Sequence, residues 1–239
     1  MISIIIPTLN EEKTIEGTLK WLINLSIPHE IIVTDGGSAD STVAIAKRYP
    51  VTVVEYPKDK YQNISLNKNH GAGFAHGKFL VFLDCGSVIF HPSDFFSRAM
   101  EHFTANPRLV GLTVSFKVFP EVATLMDKIV FSTMNFILMI INNILHRGAA
   151  QGKFQMVRAD AFVKISGFRA DLPASEDMDL FFRLSRIGRT MIDRDLELYH
   201  ASRRAHAIGW PKLLYIWNRD ALSLFFRNKV VSKEWKPIR

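Results

Sequence analysis

Large apolar residues fall along this chain in short runs separated by polar, glycine-bearing breaks. Ile2 to Ile6 is a β-branched run closed by Pro7, Glu30 to Thr34 and Val51 to Glu55 are two more, and Phe79-Leu80-Val81-Phe82-Leu83 is apolar throughout. Runs this short, with no polar alternation, predict strands buried on both faces. Between them the period is helical. Ile15, Leu19, Leu22 and Ile23 share a face of a helix predicted over 13–25, a second helix is predicted over 42–48, and a third, rich in small residues, over 63–76. The alternation predicts an α/β fold, a mostly parallel central sheet covered by helices on both faces.

Further on, a helix is predicted over 93–105 with Phe95, Phe96, Met100 and Phe103 inward, then a strand over 109–119. The segment from Ile129 to Leu145 has no charged residue. It is short for a spanning helix and carries three Asn, so a buried or interfacial helix is expected. A strand over 154–158 and a short helix over 160–165 follow, and Ser175 is expected to cap an amphipathic helix with Leu180, Phe181 and Leu184 inward. Strands are predicted over 190–193 and 196–199, leading to His200. The expected organisation is a catalytic domain over 1–205, with halves 1–105 and 106–205, and an amphipathic basic tail over 206–239.

Composition narrows the picture. With 239 residues, 48% hydrophobic and 22% charged, the chain can bury a sizeable core. A net charge of +7 favours anionic partners, but no nucleic-acid recognition motif accompanies it. The single cysteine, Cys85, excludes an internal disulfide and suits a reducing compartment. No basic leader precedes Ile2, so a cytoplasmic location is expected. The tail's Trp, Phe, Lys and Arg suit a peripheral position on an anionic membrane surface at the inner face of the cell membrane; the alternative is that Trp210 to Phe226 packs onto the catalytic domain with its basic residues solvated.

The candidate chemistry lies where strands end. The run Phe79–Leu83 delivers Asp84 to its own C-terminal end, and in open α/β sheets that is where ligands bind. Asp84 is therefore a candidate metal or phosphate site; the alternative is an Asp that only starts a turn. Asp35 stands in the same relation to the second strand, before Gly36 and Gly37, with the same alternative.

Four pieces stand in one order: Ile-Ile-Ile-Pro-Thr-Leu-Asn-Glu-Glu at 4–12, Ile-Ile-Val-Thr-Asp-Gly-Gly-Ser-Ala-Asp-Ser-Thr at 31–42, Phe-Leu-Asp-Cys-Gly-Ser at 82–87 and Ser-Glu-Asp-Met-Asp-Leu at 175–180. Together they resemble glycosyltransferase family 2, whose members have the nucleotide-sugar-binding GT-A fold. The resemblance implies an inverting transfer of sugar from a nucleotide-diphosphate donor to an acceptor hydroxyl on a carbohydrate or lipid-linked acceptor, such as a cell-surface polysaccharide. It implies that Pro7, Thr8, Asn10 and Glu11 hold the nucleotide and that Asp35 meets the nucleobase. Asn69 and Gly71 match the family's Asn-x-Gly, with helix–sheet packing as the alternative. Asp177 would be the base that deprotonates the acceptor, with Glu176 positioning it.

The family's Asp-x-Asp motif grips a divalent ion, Mg or Mn, on the diphosphate. Here Asp84 matches the first Asp, and Gly86 stands at the second. A hard cation wants several oxygen ligands. Two arrangements follow: a metal held by Asp84, His200 and phosphate oxygens, or no metal, with Lys or Arg supplying the positive charge. A member that binds nucleotide-sugar or glycan without transfer is the non-enzyme alternative; retention of Asp84, Glu176 and Asp177 argues against it. A nucleotidyltransferase is disfavoured because the loop after the first strand is Pro-Thr-Leu-Asn-Glu-Glu, without the expected Gly, Arg and Lys.

Overall fold

The computed structural model describes residues 1–57 and 61–232. Its first half contains β1 (Ile2–Thr8), α1 (Ile15–Leu22), β2 (His29–Asp35), α2 (Thr42–Ala46), β3 (Thr52–Glu55), α3 (Ile64–Ala72), β4 (Phe79–Leu83) and α4 (Pro92–Ala105). The second half contains β5 (Leu109–Val118), α5 (Leu125–Met139), β6 (Phe154–Arg158), α6 (Ala159–Lys164), α7 (Glu176–Leu184), β7 (Arg189–His200), α8 (Arg203–Ile208) and α9 (Trp210–Arg227). The strands form one sheet in the order β3-β2-β1-β4-β6-β5-β7. All pairs are parallel except those of β6, which runs antiparallel to both β4 and β5.

Burial on both faces explains the unbroken apolar runs. Ile4, Ile6, Val81 and Leu83 pack on one side of the sheet with Leu19 of α1 and Phe96 of α4. Ile5, Leu80 and Phe82 pack on the other with Phe162, Phe168 and Phe181. Successive side chains of a strand point to opposite faces, so a strand with both faces covered has no polar position to spare. Gly71 of α3 lets that helix touch the sheet. A Cβ there would meet Ile5 Cγ2 and Thr34 Cγ2, each at 2.8 Å.

The sheet also positions the site. From β1 the chain winds outward to β2 and β3, then crosses back to β4 on the other side of β1. The C-terminal ends of β1 and β4 therefore flank the topological switch point, where a crevice opens in such sheets.

Some boundaries differ from the sequence reading. Pro7 continues β1 and does not close it, because pairing with β4 stops at Ile5 and one side of the strand then needs no donors. The two late strands are one, β7, interrupted by a register shift that steps from Asp193 to Glu197 opposite Val114 and Ser115. Ser175 stands at the N-cap of α7, but with φ 57° it makes no side-chain capping bond. The uncharged helix begins earlier than Ile129. It starts at Leu125 with a capping box between Thr124 and Asp127, then continues as a π turn over Ile140–Ile144. Over Leu125–Ile144 it is long and apolar enough to cross a membrane by length and composition, and a third of that window is buried in protein. The expected break after residue 205 falls inside α8, and Ala205, Trp210 and Leu213 belong to the core. The tail thus starts as part of the fold; its Lys233 and Lys236 lie outside the described residues.

Candidate active site

The loops after β1 and β2 lock together through the very residues expected to hold the nucleotide. Asp35 is buried, and its carboxylate accepts four bonds: from Thr8 Oγ1 at 3.0 Å, Ser38 Oγ at 2.5 Å, and the N–H groups of Gly37 and Ser38 at 2.9 and 2.7 Å. Asn10 has φ 56°; its N–H donates to Ser38 Oγ at 2.8 Å and its Oδ1 accepts from Ala39 N–H at 2.8 Å. Asp35 thus builds the turn from within. These bonds are the turn-forming role named above as the alternative for Asp35. Pro7 and Thr8 are buried alongside it.

Asn69 is likewise committed. Its Nδ2 donates to the Phe168 carbonyl at 2.7 Å and its Oδ1 accepts from the Phe168 N–H at 2.9 Å. This two-point clasp ties α3 to the segment before α7, the packing role named above as the alternative. His200 stands at the end of β7. It is buried, its ring edge-on to Phe131, and its Nδ1 accepts from the Ser202 N–H at 2.9 Å. A neutral imidazole that accepts at Nδ1 carries its proton on Nε2, a buried atom with no hydrogen-bond partner among the described residues. Burial, aided by the charge of Lys153, pushes its pKa down to about 2, so the ring stays neutral.

The open groups cluster around Asp84. Its side chain is over a third exposed at the end of β4, and Lys153 Nζ lies 3.9 Å from Oδ2. The Asp84 N–H donates to the Lys153 carbonyl at 3.1 Å, so the main chain holds the two side by side. Gly86 follows with φ +79° in a turn fixed by its N–H donating to Thr18 Oγ1 at 3.0 Å. A Cβ on Gly86 would lie 3.7 Å from Arg203 Nη2. Arg203 in turn pairs with the buried Glu11, Nη2 to Oε1 at 3.3 Å. Glu11, expected beside the nucleotide, therefore anchors a guanidinium there.

On the other side of Lys153 stands the start of α7. Glu176 is buried and bonded by Lys68 Nζ at 2.8 Å, while Asp177 is partly open. A Cβ on Gly152 would lie 3.5 Å from Asp177 Oδ2, so the Gly152-Lys153 loop runs from the α7 carboxylate to the β4 carboxylate. Burial and the neighbouring Glu176 push the Asp177 acid up to about 7, against the pull of Lys68. The helix is held in place by Asp179, which takes Arg183 Nε at 2.7 Å, while Arg183 also donates to the Ile165 and Gly167 carbonyls.

Lys68, Lys153 and Arg203 were not singled out as site residues by sequence reasoning. Lys68 lies in a polar helix that reads as solvated, and Lys153 follows a flexible Gly. A signal existed for Arg203 and Lys153: a missing carboxylate in a charge-handling motif calls for cations from elsewhere.

A mostly parallel α/β sheet with a carboxylate at its switch point and a second one beside the loop that reaches it has the layout in which such folds bind ligands. The chain belongs to glycosyl transferase family 2, whose model matches residues 3–166. It is 24% identical over 234 residues to the succinoglycan biosynthesis protein ExoA of Rhizobium meliloti (strain 1021), covering 89% of this chain and 67% of that one. Two solved structures share the fold. The mannosyltransferase PcManGT from Pyrobaculum calidifontis, in complex with GDP-Man and Mn2+, superposes with TM-score 0.69 at 18% identity, over 95% of this chain and 63% of its own. TarS 1-349 of S. aureus, in complex with UDP-GlcNAc, gives TM-score 0.64 at 18% identity, over 83% and 57%. The chain thus spans under two thirds of the length of both structures.

Proposed function

We propose that this chain is an inverting glycosyltransferase that moves a sugar from a nucleoside-diphosphate donor to an acceptor hydroxyl. One observation carries the reading: the short Gly152-Lys153 loop links two carboxylates, Asp177 Oδ2 lying 3.5 Å from the Gly152 Cβ position and Asp84 Oδ2 3.9 Å from Lys153 Nζ, and burial beside Glu176 raises the Asp177 acid. An acid poised near the working pH is a competent general base. In the step, Asp177 takes the proton of the acceptor hydroxyl as its oxygen attacks the anomeric carbon. The bond from that carbon to the diphosphate oxygen breaks, and its electron pair leaves with the nucleoside diphosphate. Attack from the α7 side, opposite the leaving group at β4, inverts the anomeric centre.

The acceptor proposed is a growing polysaccharide or its lipid-linked precursor, supported by the likeness to a succinoglycan biosynthesis protein. A peripheral position on an anionic membrane suits it. Leu125, Met126, Ile129, Phe136, Ile137, Ile144 and Leu145 are exposed along the outer side of α5 and its π turn, with Lys128 and Arg147 exposed beside them. An apolar face edged by basic residues is the composition of a helix lying in a lipid interface. The test of the activity is a screen of purified protein against UDP- and GDP-sugars with oligosaccharide acceptors, following nucleoside diphosphate release. Release from none of the donors, by protein that is folded, would overturn the reading.

A further inference from the structure

The resemblance brings with it a divalent ion at the β4 end, and the donors present do not fit one. The second position of the motif is Gly86, which supplies no ligand, and a Cβ there would have Thr14 at 3.4 Å and Arg203 Nη2 at 3.7 Å as its neighbours. His200 presents a protonated Nε2, for the reason given above. Asp84, the remaining carboxylate, already has an ammonium at 3.9 Å. Among the described residues no three His, Cys, Asp or Glu side chains come together as a metal-holding group. A cation entering beside Asp84 would meet a carboxylate already shared with Lys153, and the guanidinium of Arg203 that Glu11 holds nearby.

The same features suit an anion. Resting on the reading of the chain as a nucleotide-sugar enzyme, we infer that Lys153 and Arg203 replace the metal ion and hold the donor's diphosphate through their own positive charges. Three points support this. Arg203 is held in place by the buried Glu11 yet remains about a third exposed, so its guanidinium is oriented and still able to meet solvent-side oxygens. A fixed guanidinium fork matches two phosphate oxygens at once. Lys153 lies 3.9 Å from Asp84, and its neighbour Gly152 has its Cβ position 3.5 Å from Asp177 Oδ2, so its ammonium stands between the two carboxylates. The charge that develops on the departing diphosphate oxygen would then form beside an ammonium already in position, which is how preorganised charge assists a transfer. Burial, and behind it the charges of Arg203 and Arg204, hold the Lys153 ammonium below the ordinary lysine range, with Asp84 pulling the other way. A lysine crowded by arginines gains from an incoming anion.

The experiment is isothermal titration calorimetry of the full chain with UDP and GDP, and with uridine and guanosine, in EDTA and in Mn²⁺. In EDTA the better diphosphate should bind within roughly threefold of its affinity in Mn²⁺. Lys153→Gln and Arg203→Ala should each weaken it by roughly tenfold or more, the loss of one charge-assisted contact. Nucleoside affinity should not change. Arg203→Ala leaves Glu11 without this partner and can cost folding, so Arg203→Lys, which keeps the charge, should recover most of the affinity, and Lys153→Gln stands as the independent variant. Diphosphate binding that disappears in EDTA and returns with Mn²⁺ would overturn this inference while leaving the glycosyltransferase reading intact. Binding of no nucleoside diphosphate in either buffer would overturn both.

Discussion

Lys68 Nζ lies 2.8 Å from Glu176 Oε1, an ion pair whose lysine side chain is 1% exposed. It links α3, packed on the first half of the sheet, to the first residue of α7 in the second half. Burial alone would pull the ammonium down, but Glu176, Asp84 and Asp177 together outweigh it and the net shift is upward. Lys68 is thus the fixed counter-charge for the acidic side of the crevice. Removing it leaves Glu176 buried without its cation, a loss of about 3–5 kcal/mol in comparable pairs. Lys68→Met, which keeps the apolar stem, is expected to lower unfolding stability by that order in urea titrations. A change under about 1 kcal/mol, small beside the losses seen when buried pairs are broken, would show that the pair is not held in solution.

Asp177→Asn should fold and lose transfer by about 10²–10⁴-fold, the usual contribution of a general base. For the unaltered enzyme, kcat should rise with pH through about 7 as the acid ionises, and this limb should vanish in the variant. Stability has the opposite slope. In the unfolded chain this carboxyl ionises near pH ~4. Between that value and about 7 the folded protein binds the extra proton, so stability falls as pH rises through the window and then levels off. Thermal melts of enzyme and variant across pH 4.5–8, roughly that window, check the sign. Melts of the two that run parallel at every pH would remove Asp177 from the account.

Asn69→Ala separates a clasp from a ligand contact. It should cost about 2–3 kcal/mol, two hydrogen bonds and the unpaired peptide groups of Phe168. Affinity for UDP or GDP in the folded variant should be unchanged. A selective loss of nucleotide affinity at unchanged stability would return Asn69 to the donor site.

The membrane reading predicts co-sedimentation with vesicles containing anionic lipid, weakened by salt. Ile129→Glu combined with Phe136→Glu should abolish it, since both side chains are exposed on the outer side of α5. Full sedimentation by the double variant would move the contact elsewhere, with α9's exposed Leu222, Phe225 and Phe226 as the next face to alter.

The architecture was legible because burial dictates pattern. Ile2–Ile6 and Phe79–Leu83 are apolar at every position for the reason that both sheet faces are covered, and Asp84 falls at the switch point because the strand ends there. The antiparallel insertion of β6 was not legible, since Phe154–Arg158 carries no mark of its direction. In the site, the motif positions were found, but the local bonds they make were not. Asp35 and Asn69 are residues that serve equally well as ligands and as turn or clasp builders, and their bonds to Ser38 and Phe168 depend on chain folding that sequence does not display. Lys68 and Lys153 become meaningful only through Glu176 and Asp84, 108 and 69 residues away in sequence.

The placement of β6 between β4 and β5 bears on how the protein is made. During synthesis β4 emerges long before its second neighbour, and until residue 158 is available its outer edge, Phe79 to Leu83, presents unpaired main-chain groups flanked by large apolar side chains. Such an edge is a template for pairing with other chains. The half that ends with α4 is therefore expected not to stand as a module on its own. A fragment ending at residue 105 should aggregate when expressed alone and become soluble when the remainder is supplied beside it. Soluble, monomeric expression of the fragment would show that the edge is protected some other way.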